Sequence, residues 1–386
     1  MKPATELIHR PDDVAVKAAP LTAPIYETTT FLFESAEEVR DYNEGRSEKF
    51  LYSRYSNPTV VEVERTIAAL EAAEAALVLS SGQAATATAL LALTKAGDEV
   101  VCSSAIYGGT LHLLNDLLAR FGIRARFVSI DELRRPESVL TDATKVLWFE
   151  SPINPTLRCV DIAAVASACR ARGVTSVIDN TFASPMNQQP VAMGIDVVMH
   201  SATKYLNGHS DVTAGVLAGR AALIAEVLKA RKLIGTVLDP SAAYSLGRGV
   251  KTLSVRMERH NANALAVAKW LDRDDRVGTV YYPGLESHPD HAIARRQMRG
   301  FGGMVCIDLG GDYSRAARFF DRLQVFRRAA SLGGVESLCS LPVLTSQWGH
   351  SDDELRRAGV TRGMARLSVG LEDPEDLIAD LDQALR

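Results

Sequence analysis

The chain has 386 residues, of which 47% are hydrophobic and 23% charged, and its net charge is −4. These proportions are ordinary for a globular protein, and the length allows a large core and usually two domains. The small negative charge gives no reason to expect nucleic acid or an anionic membrane surface as a partner.

The sequence shows no sign of export, membrane insertion or metal binding. Residues 1–20 hold no apolar run of signal-peptide length, and no later run is long enough to span a bilayer. The two histidines of HPDH (288–291) lack a third ligand nearby, which favours a loop over a metal site. The cysteines form no C-x-x-C pair and stand at Cys102, Cys159, Cys169, Cys306 and Cys339. We therefore expect a cytoplasmic protein with reduced cysteines and no metal.

Strand and helix patterns alternate from about residue 59 onward. The segment 59–73 has apolar residues at helical spacing, AALVLS (75–80) is a short apolar strand, and GQAATATALLALTKAG (82–97) predicts a helix closed by Gly97. Further strands are predicted for EVVCS, RARFVSI, TKVLWFE, VTSVID and IDVVMH, and a helix for DIAAVASACRARG. This α/β alternation predicts a large domain over residues 51–240 with a mostly parallel sheet covered on both faces.

The pattern changes at about residue 241. One long helix is predicted over 241–273, followed by strands GGMVCIDLG and MARLSVGL that have an antiparallel character. The last helix begins with Asp373 as N-cap and Pro374 as its first residue. These features predict a smaller C-terminal α/β domain over residues 241–386. Residues 1–50 contain few periodic signals and are predicted to form an arm that contacts a neighbouring subunit.

Lys204 and Asp179 are the two residues that point most directly to a cofactor. Lys204 follows the strand IDVVMH and stands among small polar residues in SATKYLNGHSD, while Asp179 ends the strand VTSVID. Ligands of open α/β sheets bind at the carboxyl ends of the strands. A desolvated lysine can form a Schiff base with an aldehyde, and a carboxylate can keep a pyridine nitrogen protonated. If the two strands are neighbours, the pair predicts pyridoxal 5'-phosphate as cofactor.

Small polar residues near these strand ends could hold the phosphate of that cofactor. SSGQAA (80–85) follows a strand and opens a helix, so Gly82 could admit a phosphate to the free N–H groups of the first turn. The hydroxyls of Ser201 and Thr203 could join it. Taken alone, SSGQAA is better explained by a serine N-cap and a helix-packing glycine. The chain has neither a Walker loop nor G-x-G-x-x-G after a strand, which argues against a nicotinamide-dependent dehydrogenase.

Four further peptides contain candidate residues whose individual signals are weak. Tyr107 in SAIYGGT could stack on a pyridine ring and transfer a proton, or be a half-buried aromatic. Asn154 in ESPINPT could donate to a ring hydroxyl, or mark a turn. Tyr52 and Arg54 in YSRYSNPT could grip a phosphate, or lie on a surface loop. Arg366 lies in an apolar strand, where a buried guanidinium needs an anion such as a substrate carboxylate.

Together these peptides resemble the Cys/Met-metabolism family of pyridoxal-phosphate-dependent enzymes, which includes cystathionine γ-synthase, cystathionine γ- and β-lyases, methionine γ-lyase and homoserine sulfhydrylases. The resemblance runs from PIYETTTF (24–31) to the C-terminus, and SATKYLNGHSD, DNTFASP, YSRYSNPT, SLGGVESL and RLSVGLED carry it. It implies the type I fold of these enzymes, with a large mostly parallel sheet domain and a smaller C-terminal α/β domain. It also implies a homotetramer made of two dimers with shared active sites.

The resemblance implies a role for each matched residue. Lys204 would bind the cofactor covalently and carry protons between carbons, Asp179 would pair with the ring nitrogen, and Tyr107 would stack on the ring. The phosphate would be held by Gly82, Gln83, Ser201 and Thr203, and by Tyr52 and Arg54 from another subunit. The ring hydroxyl or substrate carboxylate would be bound by Asn154, and the carboxylate also by Ser331 and Arg366.

The reaction stays open among the branches of the family. Gln83 replaces a usual methionine, and Gly109 replaces a cysteine typical of methionine γ-lyases, which argues against that activity. LTSQWGHS (344–351) replaces a segment common in the lyases, where the distal pocket is expected. We expect a cystathionine γ-lyase-like C–S lyase that eliminates a sulfur-containing substituent from an amino acid, its small-molecule substrate. Replacement on an O-acylhomoserine, by a γ-synthase or sulfhydrylase, is the alternative. A non-catalytic cofactor-binding regulator is a remoter one.

Overall fold

The structure is a computed structural model that describes residues 19–386, so residues 1–18 of the predicted arm lie outside the described residues. Seven strands of this part of the chain form a first sheet in the order β1-β7-β6-β5-β4-β2-β3. They are β1 (Ala75–Leu79), β2 (Glu99–Ser103), β3 (Arg124–Val128), β4 (Thr144–Glu150), β5 (Thr175–Asp179), β6 (Val197–Ser201) and β7 (Gly215–Gly219). β7 is antiparallel to β1 and β6, and the other pairs are parallel. The mostly parallel sheet is confirmed.

The strand β7 is absent from the sequence prediction, and the packing around its glycines explains why. A Cβ on Gly215 would lie 2.0 Å from the carbonyl oxygen of Ser81, and one on Gly219 would lie 2.1 Å from that of Asp196. The backbone of β7 therefore runs so close to its neighbours that glycine is required. The segment lacks the β-branched side chains from which strands are usually predicted.

Helices cover both faces of the first sheet. In chain order, the α-helices of residues 36–234 are α1 (Ala36–Asn43), α2 (Pro58–Leu70), α3 (Gly82–Leu93), α4 (Gly108–His112), α5 (Ile130–Leu133), α6 (Ile162–Arg172), α7 (Ser184–Asn187) and α8 (Ala221–Ile234). Side chains of consecutive residues in β4 enter opposite cores, Trp148 packing with α3 and Phe149 with α6. The two-sided covering predicted from the apolar strands is confirmed. α3 is shorter than predicted and ends at Leu93, because Thr94 leaves the helical conformation.

A second sheet is formed by residues 279–368. Its strands are β8 (Thr279–Tyr281), β9 (Met304–Asp308), β10 (Arg327–Arg328), β11 (Leu338–Ser340) and β12 (Met364–Ser368), in the order β10-β11-β12-β9-β8. The antiparallel character predicted for GGMVCIDLG and MARLSVGL is confirmed, because they contain β9 and β12, which pair antiparallel with each other. The remaining helices are α9 (Pro240–Val250), α10 (Leu253–Leu271), α11 (His291–Gln297), α12 (Tyr313–Arg322), α13 (Asp352–Arg357) and α14 (Pro374–Leu385). α14 begins as predicted, with Asp373 as its N-cap.

The prediction of a single helix over 241–273 is wrong, because the structure has two helices there, α9 and α10. The carbonyl of Gly249 accepts hydrogen bonds from the side chains of Thr252 and Arg256 rather than continuing the helical ladder. The Arg256 side chain is buried and also donates to the Tyr205 carbonyl at 2.7 Å. Tertiary contacts of one arginine thus end α9, although the local apolar pattern continues. Within residues 19–386, no helix combines the length and apolarity of a membrane span.

Candidate active site

A cavity of about 560 Å³ lies where β4, β5 and β6 end at their carboxyl edge. Both sheets contribute to its lining. The structure brings ten of the predicted site residues together in this cavity: Gly82, Gln83, Tyr107, Asn154, Asp179, Ser201, Thr203, Lys204, Ser331 and Arg366. Elsewhere in the described chain, no three His, Cys, Asp or Glu side chains converge as metal ligands would. All five cysteines are buried and unpaired.

Lys204 is carried by a tight turn between β6 and β7. The turn is closed by Lys204 N–H donating to the Ser201 carbonyl at 3.1 Å, and by Thr203 bonding to the backbone of Ala214. The Lys204 side chain enters the cavity, where Nζ donates to Ser331 Oγ at 2.8 Å. Burial lowers the pKa of Lys204 to about 8, with help from the positive charge of Arg366 and against the effect of Asp179. The amine is therefore partly neutral near physiological pH.

Asp179 ends β5 beside the end of β6. Its Oδ1 accepts hydrogen bonds from the Thr181 N–H at 3.0 Å and from the Thr181 hydroxyl. Thr181 Oγ1 in turn accepts from the Ser201 N–H at 2.8 Å, which ties the two strand ends together. Burial raises the pKa of Asp179 in spite of these donors. A buried carboxyl in this state gains most from a cationic partner, such as the protonated nitrogen of a pyridine ring.

The first turn of α3 forms a recess beside Ser201. Ser81 is the N-cap and accepts from Ala84 N–H at 2.9 Å, so the N–H groups of Gly82 and Gln83 belong to the open first turn. A Cβ on Gly82 would lie 2.9 Å from Ser201 Cβ, so only glycine lets the first turn of α3 approach Ser201 this closely. Backbone N–H groups, a helix N-terminus and a hydroxyl form the donor set that a phosphate prefers.

Tyr107 stands at the mouth of the cavity as the residue before α4. Its side chain is 49% exposed, and its backbone N–H donates to Glu150 Oε1 at 2.7 Å. A Cβ on Gly109 would lie 2.5 Å from Tyr107 Cε1, so the ring occupies space that any larger residue would fill. Gln83 Nε2 donates to the Gly109 carbonyl at 2.8 Å. The end of β4 thus holds the backbone of Tyr107, and α3 holds the backbone of Gly109, against which the ring lies.

Arg366 is brought to the cavity by the second sheet. It is 8% exposed, and its Nη1 donates to Asn154 Oδ1 at 3.0 Å and its Nη2 to the Ser331 carbonyl at 3.1 Å. Within the described residues, the buried Nε has no hydrogen-bond partner. Ser331 has a φ of 126°, in the region that favours glycine. A buried guanidinium with a free donor is suited to bind a carboxylate.

Tyr52 and Arg54 do not line this cavity. Arg54 donates to the Lys232 carbonyl, and its guanidinium lies 4.8 Å from the centre of the Tyr55 ring. Tyr52 is exposed. The phosphate contact that the resemblance implies for these two residues involves another subunit, so it stays a prediction.

Sequence reasoning missed several residues that line the cavity. They include Glu150, Thr181 and Thr213. Glu150 and Thr181 could have been found by the rule that identified Asp179, since both stand at or just after a strand end. Thr345 and Ser346 belong to LTSQWGHS, the segment expected at the distal pocket, and both line the cavity. A Cβ on Gly108 would lie 2.8 Å from the Ser346 carbonyl oxygen.

These residues fit pyridoxal 5'-phosphate. The lysine has a lowered pKa, the buried carboxyl would be stabilised by a cation, and glycine at position 82 brings the open first turn of α3 close to the Ser201 hydroxyl. The predicted partner of each part of the cofactor is therefore present in one cavity. The assignment of individual roles remains a prediction.

Comparisons with known proteins identify the family. A sequence model described as Cys/Met metabolism PLP-dependent enzyme matches residues 4–386. The chain is 42% identical over 385 residues to L-methionine gamma-lyase of Pseudomonas putida, covering 99% of this chain and 97% of that protein. It is 41% identical over 366 residues to the chloroplastic cystathionine gamma-synthase 1 of Arabidopsis thaliana, covering 95% of this chain and 65% of that protein.

A solved structure gives the same result for the fold. The crystal structure of metB from Corynebacterium glutamicum superposes with a TM-score of 0.89 at 38% identity, covering 98% of this chain and 95% of that chain. The type I fold expected from the resemblance is thereby confirmed, as is pyridoxal phosphate as cofactor of the family. The chain belongs to the Cys/Met-metabolism family of pyridoxal-phosphate-dependent enzymes.

Proposed function

We propose that this enzyme removes a sulfur-containing substituent from an amino acid, as a C–S lyase of the cystathionine γ-lyase type. The observation that carries the proposal is the position of the Lys204 amine. It lies 2.8 Å from Ser331 Oγ in a cavity that also contains Asp179 and Arg366. A proton-accepting amine, a cofactor-binding acid and a carboxylate-binding guanidinium are thus available to one bound amino acid.

Arg366 would orient the substrate. Its side chain is held by Asn154 and by the Ser331 carbonyl, and its free Nε can donate to an incoming carboxylate. Because Ser331 contacts both Arg366 and Lys204, a carboxylate bound there would place the α-carbon on the side of the lysine. Orientation of this kind converts a chance encounter into a repeatable proton transfer.

Lys204 would move the proton. With a pKa of about 8, part of the lysine population is neutral at physiological pH and can accept a proton from the α-carbon. The same group can return the proton to a neighbouring carbon or to the leaving sulfur. When bound, pyridoxal phosphate supplies the electron sink for the carbanion, and Asp179 supplies the anion that keeps its ring nitrogen protonated.

Replacement of the acyl group of an O-acylhomoserine by a thiol is a second candidate. It is favoured by the 41% identity to a cystathionine gamma-synthase. Elimination and replacement need the same lysine, acid and guanidinium, so the walls at the distal end would decide between them. Those walls include Thr345 and Ser346, in the segment where this chain departs from the lyases.

A substrate panel on the purified holoenzyme tests both candidates. It comprises cystathionine, methionine and cysteine, and O-acetyl- and O-succinylhomoserine with and without a thiol, with keto acid and thioether measured separately. We expect keto acid and a released thiol from a sulfur-containing substrate, and neither product from Lys204→Ala. Thioether formed only from an O-acylhomoserine with a thiol would support replacement. No reaction with any member would overturn the proposed substrate class.

We also propose a cytoplasmic homotetramer built from two dimers that share active sites. Tyr52 and Arg54 lie away from the cavity of their own chain, and large apolar side chains at Leu21, Leu32 and Leu233 are exposed. Mixed oligomers test the sharing of sites. Lys204→Ala and Arg54→Ala variants, each weakly active, should recover activity when unfolded and refolded together, because some mixed sites contain neither substitution. Failure to recover activity in verified mixed oligomers would contradict shared sites.

A further inference from the structure

Glu150 is a buried acid that the proposed function leaves unused. It ends β4 and is only 4% exposed, and it lines the cavity. Its register partner in the neighbouring strand is Asp179, so two carboxyl groups stand side by side at the edge of the sheet. Like charges so close in a dry site disfavour ionisation of both groups.

The groups that face Glu150 come from each neighbouring element. Glu150 Oε1 accepts from the Tyr107 N–H at 2.7 Å, just before α4. The Asn154 N–H, in the turn after β4, also donates a hydrogen bond to the Glu150 carboxyl. The titratable neighbours are Asp179 on β5 and the buried thiol of Cys102 on β2. Neither neighbour is a cation, so an ionised Glu150 would have backbone N–H groups as its main support.

The difference between the two acids decides which one holds the proton. Burial and the charge of Asp179 raise the pKa of Glu150, and the two N–H groups only partly oppose this. Asp179 instead has two Thr181 donors on one oxygen, and the charge of Lys204 also favours its ionised form. A protonated carboxyl keeps an oxygen that accepts from Tyr107 N–H, so protonation preserves this contact.

We propose that Glu150 is a positioning residue that holds Tyr107 through its carboxyl group while bearing a proton, which leaves Asp179 as the anion of the pair. The inference rests on the proposed use of Tyr107 and Asp179 at the cofactor, but not on the identity of the substrate. Two substitutions separate the parts of the proposal. Glu150→Gln mimics the neutral acid and keeps the accepting oxygen, whereas Glu150→Ala removes it.

The pH dependence of stability tests the protonation state. The pKa of Glu150 in the folded state lies above that in the unfolded chain, so wild-type stability falls as the pH rises from the unfolded towards the folded value. Glutamine does not titrate. The melting temperature of Glu150→Gln holoenzyme minus that of wild type should therefore become more positive from about pH 5 to pH 8. A difference that stays constant, as expected for an ionised carboxylate, or that becomes more negative over this range would overturn the proposal.

Glu99→Gln is a matched control on a nearby strand. Burial alone would raise the pKa of Glu99, but hydrogen bonds from Arg126 and Thr144 hold it below its ordinary value. The stability that Glu99 contributes is present above the unfolded pKa and is lost only as the pH falls through the lowered folded value. Glu99→Gln should therefore be less stable than wild type by a constant amount between about pH 5.5 and pH 8.

Cofactor affinity tests the positioning part without any turnover. Loss of the buried acceptor should weaken binding of pyridoxal phosphate by Glu150→Ala about tenfold, while Glu150→Gln should stay within about threefold of wild type. Equal affinity in Glu150→Ala and wild type would overturn the positioning role. If Glu150→Ala fails to fold, the pH trend of Glu150→Gln still decides the proposal. Neither measurement uses a substrate, so the outcome is independent of the substrate panel.

Discussion

The two sheets supply the active site in different ways. In the first sheet, β4, β5 and β6 all end at the cavity with a polar side chain, respectively Glu150, Asp179 and Ser201. In the second sheet, Arg366 lies in the middle of β12, where its backbone pairs with Cys306 on one side and Ser340 on the other. A parallel sheet offers its carboxyl edge to a ligand, whereas an antiparallel sheet offers a face.

The two sheets also contribute opposite charges. The first supplies the acids, the second supplies Arg366, and Lys204 responds to both. Arg366 lowers the pKa of the lysine, after the larger effect of burial, and Asp179 raises it. The relative position of the sheets therefore adjusts the protonation of the central amine beyond the effect of burial. Removing the charge of Arg366 should raise the pKa of Lys204, and removing that of Asp179 should lower it.

Removal of Lys204 itself should have the largest effect. Lys204→Ala should lower kcat/KM by about a thousandfold or more, because the variant loses the group proposed to transfer protons. The variant should also lose the visible absorbance of pyridoxal phosphate covalently bound to the lysine. Lys229→Ala is a suitable control, since Lys229 is an exposed lysine paired with Glu226. Activity of Lys204→Ala within tenfold of wild type would show that the two sheets do not converge on this amine.

Arg366 tests the contribution of the second sheet. Arg366→Lys keeps the charge but cannot make both of the hydrogen bonds to Asn154 and Ser331. We expect kcat/KM to fall about 10- to 100-fold, as is typical for loss of charge-assisted hydrogen bonds, with the change mainly in KM for the amino acid. Affinity for pyridoxal phosphate should change little. A loss of cofactor binding instead would place Arg366 with the first-sheet residues.

The first sheet and the helices α9 and α10 differ in how far the sequence predicts them. The first sheet was predictable because apolar strands alternate with helices, and Asp179 because it stands at a strand end. β7 was missed because Gly215 and Gly219 are selected by close backbone contact rather than by strand preference. The break between α9 and α10 was missed because a distant contact of Arg256 causes it.

The site was predictable only where local chemistry is unusual. A lysine in a small polar segment and an arginine in an apolar strand both conflict with their surroundings, and these conflicts indicated Lys204 and Arg366. Glu150 offered a similar signal at a strand end but was read as part of a strand. Ser346 was expected only as part of the segment 344–351, because its own approach to Gly108 depends on how the second half of the chain packs. Tertiary approach of this kind leaves no local pattern.

The pH at which Lys204 reacts with pyridoxal phosphate should shift in opposite directions when a charge is removed from one sheet or from the other. Pyridoxal phosphate should bind apoenzyme with a rate that rises with pH and reaches half its maximum near pH 8, well below the 10.5 of an ordinary lysine. Arg366→Gln removes a cation, so the half-maximal pH should rise. Asp179→Asn removes an anion, so the half-maximal pH should fall. Shifts of the same sign in both variants would contradict the opposed effects of the two sheets.

Gln83→Met should have the smallest effect and tests contacts within the first-sheet side alone. Methionine keeps the volume of Gln83 but cannot donate to the Gly109 carbonyl, a hydrogen bond of 2.8 Å. Loss of one partly buried hydrogen bond is worth about 1 kcal/mol, so cofactor affinity should fall about fivefold through a less fixed Tyr107. The half-maximal pH for cofactor binding should not move, because Gln83 carries no charge. A shift of that pH would mean that the position of Tyr107 also controls Lys204, and that charge from the two sheets is not the whole cause.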